Sequence, residues 1–200
     1  MSRWPVKQAM QERILITADR LFYTQGIRAI GVDTVAAEIG ISKRTLYNYF
    51  PSKGDLVAAY LARRFVVPKP TDDPPLDQIL AGFDLLERRL ASENFRGCPF
   101  VNAVTELGDA VAKIADDVKE QRRRWFRELL TRMNATDADG LATQLAILIE
   151  GAISAALIRR DPALARAAKA AATVLMAAAG VAECKKTNPL VAHKPRTRRS

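Results

Sequence analysis

The sequence predicts an all-α protein of about nine helices, with an N-terminal three-helix head holding a helix-turn-helix and a C-terminal helical bundle. Three observations carry this. Apolar residues return at helical spacing in one segment after another. Gly40 and Ser42 stop one such segment and start the next. Four prolines in VVPKPTDDPP, residues 66–75, then divide the chain, because proline lacks the amide proton that a helix needs. The expected division is a head over residues 1–65, a body over residues 76–181 and a basic disordered tail over residues 182–200.

Residues 1–10 are expected to form a loose arm. The first helix, about Gln11 to Gln25, sets Ile14, Ala18, Leu21 and Phe22 on one stripe with Leu15 beside it, and Gly26 ends it. Gly31 serves as N-cap for a second helix from about Val32 to Ile39. Gly40 closes that helix, since glycine enters the left-handed region without a Cβ penalty. Ile41 turns inward as a plug, and Ser42 offers its hydroxyl as N-cap for a third helix, Lys43 to about Phe50. Ser52 and Asp55 form a Ser-x-x-Asp capping box that opens a fourth helix running to about Phe65.

In the body, a helix from about Leu76 to Ser92 turns Ile79, Leu80, Phe83, Leu86 and Leu90 inward. A shorter one spans about Pro99 to Leu107, and a long one about Ala112 to Met133, with Ile114, Val118, Trp125, Phe126, Leu129 and Met133 inward. The run Arg122–Trp125 reads as the wet face of that helix, with Asp116, Asp117, Glu120 and Glu128 available as partners. The last two helices, about Asp137–Arg159 and Pro162–Val181, carry more apolar or alanine surface than one core needs. The surplus points to a homodimer interface through Leu141, Leu145, Ile149, Ala152, Ile153, Ala156, Val174 and Leu175. A simple buried helix pair is the competing reading.

Charge is uneven: residues 1–65 carry a net +5, residues 66–181 a net −1 and the tail +5, which together make the +9 of the chain. A basic head beside a near-neutral body asks for an electrostatic partner on one side only. The third helix supplies a chemical face for it. Leu46 and Phe50 fall inward with Tyr49 beside them, while Arg44, Tyr47 and Asn48 fall outward, flanked by Lys43 and Thr45. Arginine matches guanine acceptors in the major groove, asparagine matches the adenine edge, and a threonine methyl or tyrosine ring meets thymine's methyl. A solvated polar face is the plain alternative. Lys53 stands at a helix N-terminus, where backbone amides already favour an anion such as phosphate; a merely solvated lysine is the alternative there. Thr34 is a further phosphate candidate or a local cap, and Arg3 and Lys7 are either backbone contacts or frayed charge.

The segment Arg13–Leu61, with VAAEIGIS, TLYNYF and PSKGDL in order, resembles the tetracycline-repressor (TetR) family of bacterial transcriptional regulators. Many relatives carry histidine where Tyr49 stands, and a tyrosine hydroxyl also reaches a phosphate. The resemblance implies a sequence-specific regulator, most commonly a repressor, that dimerises through its last two helices. The expected DNA-contacting set is Thr34, Ser42, Lys43, Arg44, Thr45, Tyr47, Asn48, Tyr49 and Lys53, on double-stranded DNA carrying a palindromic operator. Release is expected when an unidentified small molecule enters the body. Its candidate pocket is Phe83, Leu86, Phe100, Val104, Trp125, Phe126, Leu129 and Leu148, with Asn102 and Gln144 as polar handles. A DNA-binding nucleoid-type factor without an effector is the alternative function.

No enzyme is expected, because the chain has no histidine–carboxylate cluster, glycine-rich phosphate loop or nucleophile motif, and its one histidine, His193, lies in the tail. No cofactor and no metal is expected either; Cys98 and Cys184 lack metal-ligand spacing. Cys98 reads as a buried structural cysteine or as a redox-sensitive one. With no apolar run of membrane-spanning length and no signal pattern, the expectation is a cytoplasmic protein without membrane contact.

Overall fold

The computed structural model describes residues 4–64, 68 and 71–181, and within them the chain forms nine α-helices and no strand. Helix α1 spans Trp4–Gln25, α2 Val32–Glu38, α3 Lys43–Tyr47 and α4 Lys53–Arg64. The expected loose arm is therefore, from Trp4 onward, the first turns of α1. Lys7, Gln8, Ala9 and Met10 all favour helix and none of them stops one. Arg3, Phe65, Pro70 and the tail with Cys184 and His193 lie outside the described residues.

The helix-turn-helix follows from local chemistry. Gly40 has φ +73°, and its amide bonds the Ala37 carbonyl while the Ile41 amide bonds that of Ala36. That pair of bonds closes α2 and satisfies two carbonyls the helix end would otherwise orphan. The Ser42 hydroxyl accepts from the Thr45 amide at 3.1 Å and so starts α3. Helix α3 is shorter than expected. Phe50 precedes Pro51, and a residue before proline is pushed out of the helical region. Ser52 accepts from the Asp55 amide at 3.0 Å to open α4. Replacing Ser42 with alanine is expected to cost about 1 kcal/mol, read as a lower urea midpoint at unchanged m-value.

The body comprises α5 (Pro75–Leu90), α6 (Pro99–Leu107), α7 (Asp109–Arg132), α8 (Ala138–Arg159) and α9 (Ala163–Ala178). Helix α8 packs between α7 and α9, α5 lies on α9, and α6 lies on α7. Helix α9 stops short of Val181 because Gly180, with φ +73°, bonds back to Ala177 while Val181 bonds Met176. Helix α8 is long and apolar enough to cross a membrane by composition, but it buries Leu141, Ala142, Leu145, Ile149, Ala152, Ile153 and Ala156 within this bundle. Gln78 is buried in α5, its amide donating to the carbonyls of Thr71 (3.1 Å) and Asp73 (2.7 Å). It ties down the loop that enters the body, a role no sequence signal announced.

The arginine run on α7 finds other partners than expected. Arg123 and Arg124 hold Glu120, as foreseen, which draws the Glu120 carboxyl down to about 2. Arg123 also reaches Asp139 at 2.6 Å, and Arg122 reaches Glu150 at 2.8 Å. Asp117 pairs with Lys113 instead. Carboxylates on α8, running alongside, are nearer the guanidinium forks than are Asp116 and Glu128.

Head and body are fastened at α1. The Tyr23 hydroxyl donates to the Gly97 carbonyl (3.0 Å) and accepts from the Arg96 amide (2.9 Å). The Glu106 carboxylate of α6 accepts from the Arg28 amide at 2.7 Å. Arg64 makes a bidentate pair with Asp19 at 2.5 and 2.8 Å and lies 3.9 Å over the Tyr23 ring. The Tyr23 and Glu106 bonds join the head to the bundle through polar groups with fixed geometry, and the Arg64 pair ties α4 to α1 within the head.

Candidate nucleic-acid interface and ligand cavity

Leu46 and Phe50 are buried in the head core, and α3 packs on α2, which holds it rigidly. Its opposite face carries Lys43, Arg44, Tyr47 and Asn48 outward, and Thr34 is exposed at the start of α2. Arg44 has no carboxylate partner among the described residues, so its guanidinium fork is available. Lys43 pairs with Asp33 at 2.9 Å, and that carboxylate raises the Lys43 ammonium above its ordinary value. Ser42 and Thr45 share a hydroxyl–hydroxyl bond of 2.9 Å, and Thr45 is half-buried. Tyr49 is half-buried against the core, so less of it faces outward than of Tyr47.

Lys53 differs from a solvated lysine. Its ammonium donates to the Ile27 carbonyl at 2.7 Å, which clamps the start of α4 to the turn after α1. An ammonium has three donors, so two remain for a phosphate. The clamp spans 26 positions of sequence, which is why local pattern gave no sign of it.

Between α4 and the body lies a cavity of about 400 Å³, within the usual range for small-molecule sites. Helix α5 presents Gly82, Leu85, Leu86 and Arg89 to it, one stripe at helical spacing. Helix α7 gives Arg122, Trp125 and Phe126; α8 gives Ile149 and Ile153; α6 gives Phe100. Arg63 and Arg64 of α4, with Pro68, complete the wall from the head side. At Gly82 a Cβ would meet the Trp125 ring at 3.4 Å, so the missing side chain lets the indole lie close on α5.

Four of the ten expected pocket residues, Leu86, Phe100, Trp125 and Phe126, line this cavity. Phe83 and Leu129 are one layer deeper in the core, where the Phe83 ring lies tilted beside Phe126 with centroids 6.3 Å apart. Val104 and Leu148 pack half-buried elsewhere on that core. Asn102 does not face the cavity, because its amide donates to the Arg96 carbonyl at 2.8 Å. Gln144 is exposed on the far face of α8. The polar wall is made instead of arginines, which sequence reasoning missed; the stripe Gly82–Leu85–Leu86–Arg89 was the available signal.

The expected dimer set also needs correction. Leu141, Leu145, Ile149, Ala152, Ile153 and Ala156 are buried inside the single protomer against its own helices, and Leu175 is half-buried. Of the eight, Val174 alone is exposed. The outward surface of α8 is a different stripe, Gln144, Ile147, Gly151, Ser154 and Ile158, and on α9 it is Ala167, Ala170, Val174 and Ala178. Among the described residues no three potential ligands converge for a metal, and Cys98 is buried at the start of α6.

Residues 14–60, which carry this head, match the model of the bacterial regulatory proteins of the tetR family, and residues 75–172 match that of the tetracyclin repressor-like C-terminal domain. The chain belongs to the TetR family. It is similar to the crystal structure of SCO4454, a TetR-family transcriptional regulator from Streptomyces coelicolor, with a TM-score of 0.76 and 28% identity over 84% of this chain and 94% of that one. A TetR-type regulator structure from Streptomyces avermitilis is 31% identical, with a TM-score of 0.73, over 85% of this chain and 97% of that one. The helix-turn-helix transcriptional regulator YjdC of Escherichia coli is 26% identical over 76% of this chain and 86% of its own length. A TetR-family chain with this head is a DNA-binding transcriptional regulator of the helix-turn-helix type.

Proposed function

We propose that the protein is a repressor that binds a palindromic operator as a homodimer and releases it when a small molecule fills the cavity. It works in the cytoplasm, on chromosomal DNA, without catalysis, cofactor or membrane contact. The observation that carries this reading is the composition of the cavity wall. Arg63 and Arg64 belong to α4, and Arg64 holds α1 through Asp19. An occupant touching these side chains acts directly on the head, and it shifts the DNA-bound population in proportion to its differential affinity for the two head positions. A nucleoid-type factor without an effector needs no such cavity.

Dimerisation uses the outward stripes of α8 and α9. One recognition helix reads few base pairs, so two heads on a two-fold axis are needed for useful specificity. Within each head, Thr34, Lys43 and Lys53 position the phosphate backbone while Arg44, Tyr47 and Asn48 read bases, with Ser42, Thr45 and Tyr49 at the margin.

The Lys43–Asp33 pair offers a test of the electrostatics. Asp33→Asn frees the ammonium and removes a negative charge from the DNA side. Affinity for all duplexes is expected to rise several-fold, and the slope of log affinity against log salt to steepen by about 0.9 per head, about 1.8 for the dimer. Lys53→Met is expected to do the reverse on both counts. Anisotropy titrations on specific and scrambled duplexes over a salt series decide it; unchanged slopes in both variants would remove these lysines from the interface.

A further inference from the structure

We propose that the cavity takes a small amphipathic monoanion, a carboxylate on an apolar body, with its charge held by Arg89. The proposal rests on the cavity being the effector site and specifies the chemistry of the effector. Four arginines line the cavity and no acidic side chain does. Three of them already have carboxylates: Arg63 with Glu12 at 2.5 Å, Arg64 with Asp19, and Arg122 with Glu150 at 2.8 Å. Arg89 has none among the described residues. The acids nearest it on α5 are committed to the opposite face, Asp84 to Lys169 at 2.6 Å and Glu87 to Arg166. Pro68 lines this side of the cavity, and the sequence around it, FVVPKP, contains no acid.

Arg89 is half-buried, where a guanidinium loses part of its hydration and an incoming anion restores the balance. The rest of the wall selects the body of the ligand. Trp125, Phe126, Phe100 and Ile153 offer an apolar, partly aromatic surface, and a volume of about 400 Å³ admits one small molecule and no polymer. A cationic ligand meets the uncompensated charge of Arg89, and a neutral one leaves it unmatched. A carboxylate answers the guanidinium fork with two parallel hydrogen bonds.

The test uses the full-length protein and two probes, octanoate and naphthoate, each compared with the alcohol and the ammonium compound of the same frame. Binding is followed by calorimetry and by Trp125 fluorescence. Each carboxylate is expected to bind at least about tenfold tighter than its alcohol, and the ammonium compounds not to bind. Arg89→Met, which keeps an unbranched apolar stem, is expected to lose about tenfold on the carboxylates and to leave the alcohols unchanged. Arg159→Met, on the exposed end of α8, is expected to change neither, and equal melting curves show that both variants fold. Alcohols or ammonium compounds binding as well as carboxylates, no carboxylate binding at millimolar concentration, or an Arg89→Met variant with unchanged affinities each overturn the proposal. The effector reading is judged separately, on operator DNA. Carboxylate binding that leaves the DNA complex intact rejects that reading and keeps the anion site, whereas release by a neutral occupant of the cavity does the opposite.

Discussion

Ile147→Asp is expected to convert the dimer to a monomer and to lower operator affinity by at least about 100-fold. Ile147 is 63% exposed, Ile158 80% and Val174 61%, large apolar side chains left uncovered by the protomer that owns them. On α8 the exposed positions 144, 147, 151, 154 and 158 step by three and four residues, and on α9 positions 167, 170, 174 and 178 do the same. Such spacing makes two seams, and seams of this kind pack as a four-helix bundle when two copies meet about a two-fold axis. Gly151, Ser154 and the alanines of α9 let the backbones approach closely. A carboxylate at the centre of that contact must be desolvated without a partner, which costs several kcal/mol per copy, and the symmetry places two of them there. Losing the dimer then removes the second head, whose binding is intramolecular only while the first is tethered to it. Sedimentation velocity reads the assembly and anisotropy reads the DNA. Ile147→Leu serves as the volume-matched control and is expected to stay dimeric. An aspartate variant that sediments as the wild type would move the interface elsewhere.

Arg44→Ala is expected to relax sequence preference more than it weakens DNA binding in general. A bidentate arginine–guanine contact discriminates by about 1–3 kcal/mol, and a dimer carries two copies, so the loss on a palindromic site is about 2–6 kcal/mol. The side chain suits this role because it is exposed, has no carboxylate partner among the described residues and is carried on a helix whose inward residue, Leu46, is locked in the core. Non-specific duplexes lose only a fraction of that. The comparison is made on one selected site, its half-site scramble and bulk DNA at a single salt concentration. An equal loss on all three would make Arg44 a phosphate contact and transfer base reading to Tyr47 and Asn48.

The head was legible in the sequence because its instructions are local. The positive φ of Gly40, the Ser42 cap and the Ser52–Asp55 box each act within a few residues, so pattern and structure agree there. Even the length of α3 was written locally, in Phe50 standing before Pro51. The body was legible as helices but not as faces. Helix α8 is apolar nearly all round, so its periodicity had no direction, and the larger side chains were assigned to the partner. In the fold Leu141, Leu145 and Ile153 are buried inside the protomer, and the outward stripe is left with Gly151 and Ser154 beside Ile147 and Ile158.

The cavity escaped for a related reason. Arg63 and Arg64 read as an ordinary basic helix end, and their place on the cavity wall goes with long-range pairing to Glu12 and Asp19 of α1. Lys53 and Gln78 belong with them, since each is defined by a carbonyl acceptor that no spacing rule points to.

The central claim is that two copies of α3, joined through α8 and α9, read one palindrome. Its most direct measurement is the stoichiometry and footprint on a duplex selected from genomic fragments, taken by native mass spectrometry and hydroxyl-radical cleavage on the same complex. The expected result is an even number of chains per site, with protection in two equal patches on one face of the duplex, about one helical turn apart between centres. One chain bound at a single unrepeated patch, or protection that follows no sequence, would contradict it.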